Sequence, residues 1–321
     1  MVLAQLRNNI VRCSKRLRAL FSAIKQPSKA KQSSVDSEAE RFIFDLLRKT
    51  DNLQRPNIND LWYLLKDIDA VKMNVKNFGY QIARELQKNL PAIGDTTPIA
   101  HGLSSRPSRQ SELASDWFRH WCGQLKIPVT YHRKNWEFGF LLQSLYDANL
   151  LQPGLKGLGF ACGEEPIASY LASCGIAVTV TDLDPKTSKD LGWISTGQHM
   201  TSRDKAFHSA LVQKDKFDEL VSLRYVNMND IPDDLGDYDF CWSICALEHL
   251  GSIEQGLDFI CNSLKTVRKG GLAIHTTEFN YLCDNETIDN WPTVLFLRKH
   301  FEEVAARLEA EGNRRHRPGE Q

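Results

Sequence analysis

The segment from Gly157 to Pro185 constrains the fold more than any other part of this 321-residue chain. It contains, in order, an apolar strand (158–161), a glycine turn (162–166), a helix (167–173) that Gly175 stops, and a β-branched strand (176–181) that ends in Asp182. Together these form one βαβ unit of a parallel sheet. Because ligands bind at the carboxyl ends of such strands, we expect polar groups of a ligand at the helix N-terminus and a ribose held by Asp182.

Length and composition set the outer limits. The chain can hold one large α/β domain of about 150 to 250 residues and a smaller piece. Lys plus Arg and Asp plus Glu balance at 40 each, which argues against nucleic acid as the main partner. The 8 cysteines form no CxxC pair, so neither a zinc ribbon nor a disulfide framework is indicated. No stretch approaches the roughly 20 apolar residues of a membrane span and no secretory signal is evident, so we expect a cytoplasmic protein.

The N-terminal residues 1–34 are predicted to be a basic amphipathic helix and a linker. Apolar residues in 2–25 alternate in steps of three and four: Leu3, Leu6, Ile10, Cys13, Leu17, Leu20 and Ile24. The charged residues before Asp36 are all basic. Three uses remain open for this helix: packing on its own domain, a short coiled coil in a homo-oligomer, or contact with the acidic inner face of a membrane.

Residues 35–111 are predicted to be a second helical region followed by a linker. Ser37 and Glu40 form a plausible capping box, and Asn59 can cap a helix that begins near Leu61. The helical stripe then continues through Trp62, Leu64, Leu65, Ile68, Val71, Val75, Phe78, Ile82 and Leu86. Such a stripe is a packing surface, so we assign it to assembly or substrate presentation. Pro, Gly, Ser and Thr accumulate in the linker 91–111.

Residues 112–321 are predicted to form the α/β domain. Helices at 112–122 and 136–148 flank a polar aromatic patch, 131–137, expected to act as a lid before the first strand. Further strands follow at 220–225, 238–244 and 271–277, with helices at 253–267 and 294–310. Right-handed crossovers then give a doubly wound, mostly parallel, Rossmann-like sheet, preceded by the α-helical N-terminal region.

The sequence from Asp239 to Leu250 (DFCWSICALEHL) and the later KGGLAIHTTEF at 269–279 resemble the fourth and fifth strands of class I S-adenosylmethionine-dependent methyltransferases. The resemblance extends over about 132–312. Within it, 157–166 and 193–199 resemble a bacterial subgroup associated with polysaccharide and glycan biosynthesis. The resemblance implies S-adenosylmethionine as methyl donor and a glycan or glycan-linked acceptor, with methyl transfer to oxygen.

The glycine turn departs from the family pattern of an acid followed by three spaced glycines. Gly163 matches the middle glycine and still permits close backbone approach to a nucleoside. Gly159 stands where the family has its first-strand acid, and Glu165 stands where a third glycine is usual. Glu164 or Glu165 would hold the ammonium group of the donor, or both would be acids that complement the helix dipole.

Three further positions correspond to the family's nucleoside contacts. Asp182 would accept the ribose hydroxyls, whereas Asp184 is a turn residue beside Pro185. By the resemblance, Asn227 would meet the adenine amino group and Met228 would cover the ring, although a methionine here is equally well a core residue.

The transfer itself is an in-line displacement, so the protein mainly aligns the acceptor and excludes water. A hydroxyl acceptor benefits from a base, for which His249 is the first candidate and Glu278 the second. Either residue could instead be a polar group satisfied at a strand end. A metal site of Glu248, His249 and Glu278 is conceivable, because carboxylates and imidazole suit several divalent ions, but no close ligand spacing supports it and no metal is predicted.

Two observations keep a second hypothesis open. The family ends with an antiparallel hairpin, yet 311–321 contains no strand, which predicts a five-stranded sheet with an uncovered edge. The first-strand acid is also missing. The alternative is therefore an inactive or weak nucleoside-binding scaffold that acts through its helical N-terminal region. An NAD-dependent dehydrogenase is disfavoured because Gly159 to Glu165 lacks the spaced glycines.

Overall fold

A computed structural model describes residues 58–90, 93, 97–190 and 199–313. The chain divides into two compact units between Ile82 and Ala83. The predicted helix at 2–25, the predicted capping box of Ser37 and Glu40, and residues 193–198 of the segment that resembles the bacterial subgroup lie outside the described residues.

Helix α1 spans Ile58–Gln87, and so begins three residues before the predicted start. Its apolar side chains recur every three or four residues and are exposed: Ile68, Val71, Val75, Phe78 and Ile82. Within the described ranges, no helix combines the length and apolar character that crossing a bilayer requires.

Five strands form a single sheet: β1 Lys156–Phe160, β2 Ala177–Asp182, β3 Val221–Tyr225, β4 Tyr238–Ile244 and β5 Val267–Thr276. Their order is β3-β2-β1-β4-β5, and every neighbouring pair is parallel. The predicted doubly wound parallel sheet is therefore confirmed. β5 starts at Val267, four residues before the predicted start at 271. The earlier start depends on a shift of its register against β4, between the Tyr238–Val267 and Phe240–Leu272 pairs. That irregularity includes Gly270 at a φ of +81°.

The helices of the α/β region are α2 Gln110–Leu113, α3 Asp116–Gln124, α4 Arg133–Asp147, α5 Ile167–Ser173, α6 Pro185–Asp190, α7 Lys214–Leu220, α8 Ile253–Ser263 and α9 Arg298–Ala310. α4 corrects one prediction, since it begins inside the polar aromatic patch. His132 caps it, because Nδ1 accepts a hydrogen bond from the backbone N–H of Lys134. Residues 133–137, most of the segment expected to act as a lid, are thus the first residues of α4.

The sheet separates two apolar clusters, as the alternation of side chains along each strand requires. On β4, Phe240 and Trp242 belong to the cluster that contains residues of α3, α4 and α5. Cys241, between them, belongs with Leu158 and Phe160 to the cluster that contains residues of α8 and α9. Both faces are covered, which leaves the ends of the strands as the place for a site. The described residues contain no strand after α9.

Candidate active site at the carboxyl ends of β1 and β4

The strand order places the topological switch point of the sheet between the carboxyl ends of β1 and β4, a region here called the β1/β4 crevice. From β1 the chain crosses to β2 on one side, whereas β4 lies on the other side. Such a reversal is where open α/β sheets bind ligands, just outside the carboxyl ends of the strands. The segments that leave these two ends are the turn from Ala161 to Glu165 and the segment from Cys245 to His249.

The turn after β1 is tight and left-handed at two positions. Ala161 has a φ of 49° and Gly163 a φ of 53°. Glycine adopts this conformation without the steric cost that a Cβ brings, so Gly163 suits the turn. Its predicted approach to a nucleoside remains a prediction.

Gly159 lies on the face of β1 that the rings of β4 cover. A Cβ there would lie 2.3 Å from Cys162 Sγ and 2.5 Å from Trp242 Cζ2. The space that the family's first-strand acid would need is therefore occupied by the indole ring. The departure at this position has a packing reason, and a cofactor contact for Gly159 remains a prediction.

Asp182, at the end of β2, is buried and joins three chain segments. Its Oδ2 accepts hydrogen bonds from Gly163 N at 3.3 Å and Met200 N at 2.9 Å, and Oδ1 accepts one from Leu183 N at 2.8 Å. Burial raises the pKa of this carboxyl, although the Met200 amide opposes the shift. The residue predicted to hold a ribose thus fixes the glycine turn to the end of β2.

His199 lies beside Asp182, and its ring contacts the end of β2 and the residue that follows it. Its Nε2 is 2.6 Å from the Leu183 carbonyl oxygen and 3.5 Å from Asp182 Oδ1. Asp184 behaves as predicted for a turn residue: Oδ1 accepts hydrogen bonds from the backbone N–H groups of Lys186 and Thr187. The Thr187 hydroxyl lowers the pKa of this exposed carboxyl.

The two acids of the turn have different surroundings. Glu164 forms a surface ion pair with Lys205 at 2.6 Å. Glu165 is largely buried, and its Oε1 lies 3.1 Å from Lys134 Nζ. Burial raises the pKa of Glu165 to about 8, and Lys134 only partly offsets this. Of the two candidates for an ammonium contact, Glu165 is therefore the buried one, and Lys134 is its ion-pair partner.

The first turn of α4 reaches across the ends of β1 and β4. Lys134 Nζ donates to the Ile244 carbonyl oxygen at 3.2 Å as well as pairing with Glu165. Arg133 Nη1 pairs with Glu137 Oε1 at 2.9 Å, and Nη2 pairs with Glu278 Oε1 at 2.6 Å. Two cations of one helix thus span the crevice, a contribution that the sequence analysis missed. The sequence contains an indication of this arrangement, because Arg133 and Lys134 precede Glu137 by four and three residues, the spacing at which side chains on one helix pair.

The residues after β4 and β5 form a compact acidic group around a cysteine. Ligand atoms of Cys245, Glu248 and Glu278 all lie within 4.8 Å of one another. The sequence grouped Glu248 and Glu278 with His249, but the structure brings them together with Cys245. His249 Nδ1 instead lies 3.0 Å from the Pro292 carbonyl oxygen. In the sequence, the position of Cys245 three residues before Glu248 is the feature that could have indicated this group.

His275 also lies near the candidate bases in the sequence, yet its ring is held between a serine of β4 and the last serine of α8. Its Nδ1 lies 2.9 Å from Ser243 Oγ and its Nε2 lies 3.0 Å from Ser263 Oγ. Burial lowers its pKa to about 4. Both ring nitrogens are therefore used in holding β5 to its neighbours.

The predicted adenine-side residues follow β3. Met228 is buried and belongs to the same apolar cluster as Val226 and Leu235. Asn227 Oδ1 accepts a hydrogen bond from Asn229 N, which closes a local turn. The structure therefore shows Met228 as a core side chain, and an adenine contact for either residue remains a prediction.

No family model matches the chain, and no curated protein does. Similar solved structures include a putative sarcosine dimethylglycine methyltransferase from Galdieria sulphuraria (17% identity, 42% of this chain and 43% of that one, TM-score 0.29). Another is the CcbJ methyltransferase from Streptomyces caelestis (15%, 41% and 49%, TM-score 0.30). A third is a TehB-like SAM-dependent methyltransferase from Corynebacterium glutamicum (20%, 52% and 78%, TM-score 0.30). The chain spans less than half the length of the first two. At these TM-scores, function has to be argued from the site itself.

Proposed function

We propose that the protein transfers a methyl group from S-adenosylmethionine to an acceptor bound at the β1/β4 crevice. The observation that carries the proposal is the buried Asp182 carboxylate, joined to the Gly163 turn at the edge of that crevice. When bound, the donor supplies a methyl group already activated on a sulfonium.

The residues of the crevice fit such a donor at its methionine end. A desolvated carboxyl such as Glu165 is stabilised in its ionised form by a cation, and Lys134 alone leaves its pKa at about 8. The donor's ammonium group would be a second cation at Glu165. Glu165 would therefore accept hydrogen bonds from the ammonium. Lys134 donates to Glu165 and to the Ile244 carbonyl oxygen, so its third N–H would be left to meet the adjoining carboxylate.

The fit extends to the nucleoside end. Gly163 lets the backbone approach the ligand closely, and Asp182 offers the carboxylate oxygens that a ribose needs. Asp182 Oδ2 accepts a hydrogen bond from Met200 N at 2.9 Å. A ribose hydroxyl would replace that amide as the donor to Oδ2. Asn227 and Met228 are proposed on the adenine side.

The acceptor would lie near the ends of β4 and β5. We place Glu278 and His249 as alternative bases for a hydroxyl acceptor. Glu278 lies in the crevice beside Arg133, whereas His249 is held through Nδ1 near the loop at Pro292. This geometry favours Glu278, which reverses the order expected from the sequence.

We infer an oxygen of a glycan or glycan-linked molecule as the acceptor. The support is the sequence resemblance of 157–166 and 193–199. The test is mass spectrometry of candidate glycans after incubation with the protein and a donor carrying an isotopically labelled methyl group. A mass increase of one labelled methyl supports the proposal, and unmodified glycans with unconsumed donor contradict it.

A methyltransferase-like scaffold is the second candidate function. Two observations favour it: Asp182 already accepts three backbone hydrogen bonds, and Arg133 and Lys134 span the crevice. The two differ in turnover: a nucleoside-binding scaffold that acts through its helical N-terminal region would bind S-adenosylmethionine in calorimetry without transferring its labelled methyl group to any acceptor.

A further inference from the structure

We propose that Cys245, Glu248 and Glu278 form a binding site for a divalent metal ion of the zinc class. The proposal goes beyond the methyl transfer proposed above and does not depend on it. Its three ligand atoms lie within 4.8 Å of one another. Metal–ligand distances of about 2.0 to 2.3 Å place the ligands of one tetrahedral ion about 3.3 to 3.8 Å apart, so binding requires these side chains to close in by about 1 Å.

Glu248 supplies the strongest argument. This glutamate has 0% exposed surface, and its Oε1 has no hydrogen-bond partner among the described residues. A buried carboxylate oxygen without a partner is costly, and buried charges are normally paired or coordinate a metal. The carboxylate is also oriented, because Thr277 donates a hydrogen bond to Oε2 at 2.9 Å. Hydrogen bonds of this kind hold metal ligands in place.

The charge of the surroundings has the sign that a cation needs. Salt bridges connect Glu137, Glu165 and Glu278 to two cations, Arg133 and Lys134. With the adjoining Glu248, four carboxylates face two cations, so carboxylates are in excess here. A divalent ion would offset that excess.

The chemistry of the ligands selects the ion. One sulfur and two carboxylate oxygens suit zinc and ions that substitute for it, whereas magnesium and calcium prefer oxygen alone. Three protein ligands leave a fourth position of a tetrahedral ion open, as in catalytic zinc sites. Cys245 and Glu278 are partly exposed, so an ion has a route of entry.

Arg133 is the competitor for this site. Its guanidinium pairs with Glu278 and points to Cys245 Sγ. The side chain is 52% exposed, so it can turn towards solvent when an ion binds. Arg133→Ala is therefore expected to increase the affinity for the metal ion. If Arg133 formed only a structural ion pair, its removal would leave that affinity unchanged.

The test is titration of the chelator-treated full chain with Zn²⁺ by calorimetry and with Co²⁺ by absorption, in the absence of any methyl donor. We expect one equivalent to bind and Co²⁺ to give a thiolate charge-transfer band. Cys245→Ser should remove the band, and the matched control Cys261→Ser, at another partly exposed cysteine, should keep it. Glu248→Gln and Thr277→Val should each weaken Zn²⁺ binding about tenfold or more.

Circular dichroism establishes that each variant is folded, and Arg133→Ala tests the site without removing a ligand. Absence of Zn²⁺ binding by the wild type overturns the proposal, because Arg133 is then the permanent partner of the acids. A Co²⁺ band that survives Cys245→Ser, or disappears in Cys261→Ser, overturns it as well. Because no donor is present, failure here leaves the proposed methyl transfer untouched.

Discussion

The backbone N–H of Gly163 donates a hydrogen bond of 3.3 Å to the carboxylate of Asp182, which joins the turn after β1 to the end of β2. The same carboxylate accepts a second hydrogen bond from Met200 N. One buried side chain therefore sets the shape of the crevice edge on which the proposed nucleoside would rest.

Replacement of Gly163 by alanine should reduce both stability and donor affinity. A Cβ at a φ of 53° costs about 1 to 2 kcal/mol, and relief of that strain would rotate the N–H away from Asp182. The matched control is Gly154→Ala, at a φ of 86° with no atom within 4 Å of the new Cβ. Chemical denaturation should show both variants destabilised, and calorimetry with the demethylated donor should show weaker binding only for Gly163→Ala. Equal affinities would remove Gly163 from the site.

Lys134 and Glu165 should be energetically coupled. Lys134→Met leaves a largely buried carboxylate without its partner, which we expect to cost about 1 to 3 kcal/mol of unfolding free energy. Adding Glu165→Gln removes the uncompensated charge and should recover part of that loss. Urea denaturation of the two single variants and the double variant measures the coupling energy. Strict additivity would mean that the ion pair is absent in solution.

Burial of His275 predicts a pH dependence of stability. Its folded pKa of about 4 lies below the ordinary value of 6.5, so the unfolded state takes up a proton first as the pH falls. Because of this residue, the unfolding free energy keeps its full value above pH 6.5 and falls by roughly 3 kcal/mol between pH 6.5 and pH 4. Unfolding free energies measured across this range should fall less steeply for His275→Gln than for the wild type. The exposed His101→Gln should retain the wild-type slope, and parallel curves for His275→Gln would refute the assignment.

Gly159 should not tolerate the acid that the methyltransferase family carries at this position. Gly159→Ala already places a Cβ 2.5 Å from the Trp242 ring, and we expect a loss of about 1 to 3 kcal/mol. Gly159→Asp adds an unpaired buried charge and should prevent folding. Thermal unfolding followed by circular dichroism measures both, and a stable Gly159→Asp protein would contradict the packing described for β1 and β4.

The fold was predictable because its signals are local. β-branched runs and a glycine turn in 157–185 specify strand, helix and strand, and the bounds of β4 agree with the sequence prediction. The start of β5 was not predictable, because it depends on a register shift against β4.

The site was predictable only in part, because it depends on contacts across the fold. Asp182 and Gly163 meet as their positions at neighbouring strand ends suggest. By contrast, Lys134 reaches Glu165 from 31 residues away along the chain, and Arg133 reaches Glu278 from further still. Periodicity along one element carries no information on such pairs.

Calorimetric titration with S-adenosylhomocysteine, of the wild type and of Asp182→Asn, tests the central claim most directly. Asp184→Asn, a neighbouring exposed carboxylate, is the matched control. The account predicts saturable binding to the wild type and to Asp184→Asn, and an affinity lower by about tenfold or more, about 1.4 kcal/mol, for a folded Asp182→Asn. Absence of binding to the wild type, or equal affinity for Asp182→Asn, would contradict it.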